Sequence, residues 1–121
     1  MQTVIKEEVE MKVSDLVEKF GLKVFSGEAG LDREVTGGYV SDLLSDVMGN
    51  AREGVVWITL QTHQNVMAIA SLKDLAAVIL VKNHEPEEDT LEHSNEENVT
   101  LLGTNMDTFE IAGKLYNFLN R

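Results

Sequence analysis

The 121-residue sequence predicts one α/β domain, a three-layer α/β/α arrangement on a mainly parallel sheet. Three observations lead there. Two runs, Val55–Leu60 (VVWITL) and Ala76–Val81 (AAVILV), are almost uninterruptedly apolar, as burial on both faces of a parallel sheet requires. Segments of helical periodicity separate the strand-like runs, so the connections read as crossovers between parallel strands. Hydrophobic residues make up 43% of the chain, enough to fill a core at this length.

The elements follow in order. Residues 1–10 place Val4, Ile5 and Val9 among polar neighbours and read as an edge strand or an N-terminal extension, ahead of a domain at 11–121. Ser14 opens a helix in which Val13, Leu16, Val17 and Phe20 recur at helical spacing, and Gly21 stops it. Leu22–Ser26 is a short strand, 27–33 a loop, and Val35–Val40 a strand interrupted by Gly37-Gly38. Ser41 or Asp42 caps a short helix that runs to Met48 and ends at Gly49-Asn50. VVWITL follows as a strand with Trp57 in the core, then a helix from about Gln64 to Lys73 with Val66, Met67, Ile69 and Ala70 on its apolar side. AAVILV and VVWITL are expected as adjacent central strands, and Val99–Leu102 as the last strand.

Between these last two strands, Glu85–Glu97 carries seven acidic residues, no basic ones and Leu91 as its only aliphatic. The fold asks for a helix here, but one with so little apolar surface is marginal or mostly solvated. A charged, exposed crossover is the simplest reading. The final helix is the clearest element. Asp107 and Glu110 form a capping box. Phe109, Ile111, Ala112, Leu115, Tyr116, Phe118 and Leu119 share one half of its surface, an arc wider than one core contact needs. The excess suits a homodimer interface.

Composition excludes several functions. Ten basic residues against 21 acidic ones, a net charge of -11, leave no phosphate-neutralising surface, so neither nucleic acid nor an anionic membrane is an expected partner. A small anion remains possible at helix N-termini, which offer backbone donors. The absence of cysteine removes disulfides, thiolate metal sites and cysteine nucleophiles. No apolar run reaches the roughly 18 residues of a membrane span. The first residues lack the pattern of a signal peptide. A cytoplasmic protein without a cofactor is the expectation.

Paired glycines inside a strand cost packing and backbone entropy, so Gly37-Gly38 marks either a bulge, a close approach of other atoms, or backbone N–H groups offered to an anion. The stretch Asp32-Arg33-Glu34-Val35-Thr36-Gly37-Gly38 resembles the motif of the DRTGG domain family, with Glu34-Val35 separating its two parts. The resemblance extends through MKVSDLVEKFGLKVFSGEAGLDREVTGGYVSDLLS, VVWITLQTHQNVMAIASLKDLAAVILVKN and TNMDTFEIAGKLYNFLN, from about Met11 to Arg121. The opening also looks like the N-terminal domain of HPr kinase/phosphorylase, of the same structural superfamily. The resemblance implies that fold and a regulatory or dimerising module, found alone or attached to phosphotransacetylases and CBS-domain pyrophosphatases. A partner enzyme of energy or redox metabolism is implied with it. No Walker A loop or nucleophile elbow is present, so no catalysis is carried over.

Ligands of open parallel sheets bind outside the carboxyl ends of the strands. Ser41, Asp42, Thr62, His63, Gln64, Asn83 and Thr104 should emerge at that edge with three helix N-termini, and with Thr36, Gly37 and Gly38 they make up the candidate ligand-binding set. Individually each also reads as a cap or a solvated residue. His63, His84 and His93 fit no metal-binding spacing. The resulting expectation is a non-catalytic module that dimerises and binds a small anionic metabolite. The competing one is a small enzyme acting on a phosphorylated metabolite at the same edge.

Overall fold

The computed structural model describes residues 11–120, so the expected strand or extension at 1–10 lies outside the described residues. Five strands form one sheet: β1 (Lys23–Ser26), β2 (Gly37–Val40), β3 (Val55–Thr59), β4 (Ala77–Leu80) and β5 (Thr100–Gly103), in the order β1-β5-β4-β3-β2. β2, β3, β4 and β5 are parallel, and β1 is antiparallel to β5. VVWITL and AAVILV thus supply neighbouring inner strands, as their composition required.

Strand alternation sends the two sides of each apolar run into different cores. Val56 and Ile58 of β3, with Ala77 and Ile79 of β4, meet α1 (Val13–Phe20) and α5 (Thr108–Leu119) through Val13, Leu16, Ile111 and Leu115. Val55, Trp57, Val78 and Leu80 face the opposite layer, made by α2 (Leu44–Asn50), α3 (Asn65–Leu72) and α4 (Glu88–Glu97). Trp57 is fully buried and its Nε1 donates to the Ser41 carbonyl at 2.7 Å.

Local chemistry explains the helix ends. Gly21 closes α1 with φ +62°, the left-handed cap that glycine adopts at least cost. Asp107 accepts from the Glu110 N–H at 2.9 Å and starts α5. Of the wide apolar arc on α5, Ile111 and Leu115 are buried, whereas Phe109 is 91% and Tyr116 72% exposed.

Two expectations require correction; a third, the charged and exposed crossover, is met by a ten-residue helix whose acidic residues are exposed and which docks through polar contacts. Thr90 and Ser94 are buried beneath it, with Leu91 partly buried against the core. Ser94 accepts from the Ser26 hydroxyl at 2.8 Å and donates to the Val99 carbonyl, and Thr90 donates to the Thr62 carbonyl at 2.7 Å. Satisfied buried hydroxyls hold the helix where apolar area is lacking. Neither Ser41 nor Asp42 is the N-cap of α2, a position taken by Leu43. Ser41 instead accepts from the Leu43 N–H in a local turn, at 3.1 Å. Finally, regular pairing of the second strand begins only at Gly37, because Val35 upstream donates to the Met11 carbonyl on another segment.

Candidate functional site

The parallel strands β2 to β5 end at one edge of the sheet. Because β1 runs the other way, its first residue arrives at that same edge, where Lys23 pairs with Gly103. A cleft of about 410 Å³ opens there. One wall is the end of α1 and the start of β1, with Phe20, Gly21, Lys23 and Phe25; the other is formed by Asn83, His84 and Glu85 after β4 and by Gly103, Thr104 and Asn105 after β5.

Two loops build this wall and are tied together. Lys82 N–H donates to the Met106 carbonyl and Asn83 N–H to the Thr104 carbonyl, each at 2.9 Å, while Thr104 N–H returns to Leu80 at 3.0 Å. These bonds hold Lys82 and Asn83 consecutively in the left-handed region, at φ +56° and +58°. Such backbone costs about 1–3 kcal/mol per residue and persists only where surroundings impose it, often at ligand sites. His84 is anchored through Nδ1, 2.9 Å from the Val81 carbonyl, so Nδ1 carries a proton. The Thr104 hydroxyl oxygen accepts from Met106 N–H at 3.2 Å, which leaves its own hydrogen to donate.

The other wall is aromatic and cationic. The Phe25 ring lies so close to Gly103 that a Cβ there would stand 2.4 Å from Cε2. Lys23 Nζ sits 4.7 Å from the Phe25 ring centroid, a cation–π contact that positions the ammonium.

The ten sequence-selected residues fall into three places. Asn83 and Thr104 line the cleft just described. Ser41, Asp42, Thr62, His63 and Gln64 lie at the same edge beyond β2 and β3 and do not line it. Much of their polar capacity serves the fold: Asp42 Oδ1 accepts from Leu60 N–H at 2.7 Å and from the Thr59 hydroxyl at 2.9 Å, and Thr62 O holds the start of α4. His63 Nδ1 accepts from Asn65 N–H at 3.1 Å ahead of α3. The expected convergence of all these groups on one pocket is therefore replaced by two separate patches.

Thr36, Gly37 and Gly38 form the third place. With Val40, Ile58, Ala112, Leu115, Tyr116 and Leu119 they border an apolar cleft of about 350 Å³ between β2 and α5. A Cβ on Gly38 would meet Leu115 Cδ2 at 3.1 Å, so glycine lets α5 approach the sheet. The rest of the motif braces the amino end. Arg33 pairs with Asp74 at 2.9 Å and donates to the Leu75 carbonyl, while the Thr36 hydroxyl donates to the Glu53 carbonyl at 3.0 Å.

Sequence reasoning did not select Lys23 and Phe25 because only the antiparallel placement of β1 beside β5 brings them to the edge. His84 and Glu85 were visible beside Asn83. His63, His84 and His93 stand on separate segments, and among the described residues no group of three His or acidic side chains is placed to hold a metal. Beside β2, hydrogen bonds from Ser41, Tyr39 and Asn50 lower the Asp46 carboxyl below its ordinary value, and the same Tyr39–Asp46 bond raises the tyrosine.

The DRTGG domain profile matches residues 15–118, and the chain belongs to the DRTGG domain family. Its fold is shared with the crystal structure of the CBS and DRTGG domains of the regulatory region of Clostridium perfringens pyrophosphatase, complexed with the activator diadenosine tetraphosphate. The two are 16% identical with a TM-score of 0.65, covering 84% of this chain and 44% of the other. The chain thus spans under half of that structure's length. No curated protein matches the sequence. Among the described residues no helix is long and apolar enough to cross a membrane.

Proposed function

We propose that this domain is a non-catalytic regulatory module that dimerises, binds a small anionic metabolite at the carboxyl edge of its sheet, and acts on a partner enzyme. The cleft at the ends of β4 and β5 carries the reading. There, two tied loops hold Lys82-Asn83 in costly backbone beside an ammonium and two phenyl rings. Family membership and the regulatory region with the same fold support the regulatory role. Exposed Tyr116, Phe109 and Val40 support dimerisation through α5 and the neighbouring edge strand.

Two measurements test it. Light scattering at micromolar concentration should give twice the 13.4 kDa chain mass, and Tyr116→Asp should halve it; a wild-type particle of one chain refutes the dimer. Amide chemical shifts followed against a panel of nucleotides and acyl phosphates should move at the carboxyl edge, at Asn83, Thr104 or the Ser41–Asp42 and Thr62–Gln64 segments. Shifts centred on α4 alone would refute the site. Turnover of any panel compound that Asp42→Ala or His63→Ala abolishes would make the domain an enzyme instead.

A further inference from the structure

The cleft between β1 and the loop after β4 carries one charge of each sign. Lys23 stands at the start of β1 and Glu85 in the loop after β4, and both line the same space. The two residues come from segments on either side of β5, one at the start of β1 and one beyond the end of β4. Among the described residues neither has an ion-pair partner: the ion pairs are Arg33–Asp74 and Glu110–Lys114. Between them the cleft offers phenyl surface from Phe20 and Phe25 and a hydroxyl donor at Thr104.

We infer that the ligand is a zwitterion with an apolar body, of the size and chemistry of a free α-amino acid. This rests on the regulatory reading above for the placement of the site and replaces the anionic metabolite of that reading with a ligand that carries both charges. The carboxylate is received by Lys23 and the Thr104 hydroxyl, the ammonium by Glu85, and the apolar body by the two phenyl rings. A simple anion would meet Glu85 as a like charge and a simple cation would meet Lys23. A zwitterion uses both. It also has no net charge, so the field of a protein at -11 does not oppose its approach as it would a polyanion. The cleft volume lies near the low end of the range for small-molecule sites.

The test uses three probes with the same ring, followed through the amides of Gly103, Thr104 and Asn105: L-phenylalanine, 3-phenylpropionate, which lacks the amine, and phenethylamine, which lacks the carboxylate. Phenylalanine should bind more tightly than either analogue. Glu85→Gln should weaken phenylalanine and phenethylamine by about two- to fivefold, the range of an exposed ion pair, and leave phenylpropionate unchanged or tighter. Lys23→Gln should weaken phenylalanine and phenylpropionate and spare phenethylamine. Both side chains are exposed, so the substitutions leave the fold intact, which the amide spectra of the variants check directly. If phenylalanine binds no better than its analogues, or Glu85→Gln fails to separate them, the zwitterion is refuted. Should nucleotides or acyl phosphates then shift the same amides, the regulatory site stands without it. If no compound shifts this edge, both proposals fall.

Discussion

Gly27 follows β1 at φ +74°, and a Cβ built on it would lie 2.1 Å from the Val99 carbonyl oxygen and 2.8 Å from Ser94 Oγ. Both neighbours belong to the polar joint that docks α4, and neither is the loose end of a long side chain. The Gly27 amide also donates to Asn95 Oδ1 at 2.9 Å, and its carbonyl accepts from the Thr100 hydroxyl at 2.7 Å. Gly27→Ala therefore combines two costs. Left-handed backbone in a residue with a Cβ costs about 1–2 kcal/mol, and forcing an extra methyl into a packed joint costs about 1–3 kcal/mol. The expected loss is about 2–5 kcal/mol, a large part of the stability of a domain this size. Gly21→Ala isolates the first cost, since Gly21 has φ +62° but a Cβ there would meet nothing within 4 Å. Urea unfolding followed by the fluorescence of Trp57, the single tryptophan and fully buried, measures both variants against wild type. Equal destabilisation of the two variants, or a Gly27→Ala loss under about 1 kcal/mol, would refute the steric account of how α4 is held.

Two further outcomes are expected. Asp42→Ala removes the acceptor shared by Leu60 N–H and the Thr59 hydroxyl and should cost about 1–2 kcal/mol in the same urea assay, with the sheet intact by circular dichroism. The Tyr39–Asp46 hydrogen bond, 2.8 Å long, should stabilise α2 across a pH window bounded on both sides. Asp46 is lowered from its ordinary 3.8, so its contribution is present above that value and is lost as pH falls through the depressed folded value. Tyr39 is raised from its ordinary 10.0, so its contribution is present below that value and is lost as pH rises through the elevated folded value. The unfolding midpoints of wild type and Tyr39→Phe should therefore differ between these limits and converge outside them; a difference that changes near neutral pH would refute the assignment.

What the sequence determined by itself was local or compositional. Nearly continuous apolar runs of strand length suit burial on both faces of a sheet, so VVWITL and AAVILV read as inner strands of a parallel sheet. The stop at Gly21, the Asp107 cap on α5 and the core placement of Trp57 follow from backbone sterics, a three-residue hydrogen-bonding pattern and hydrophobicity, all readable within a few positions. The family resemblance was equally legible, because its motif residues are contiguous or nearly so. Their work was not. Arg33 reaches Asp74 and Leu75, Thr36 reaches Glu53, and Gly38 admits Leu115, partners that lie 17 to 77 positions away and become neighbours only once the sheet is assembled. How the acidic segment docks was hidden for a related reason. Composition reports apolar area, whereas α4 is held by hydroxyls on Thr90 and Ser94 whose acceptors and donors, at Thr62, Val99 and Ser26, come from other elements. The candidate cleft belongs wholly to this second category. Lys23 and Phe25 reach the carboxyl edge because β1 runs antiparallel beside β5, and strand order and direction are set by which packing of the layers buries most surface, not by any property of the residues taken one at a time.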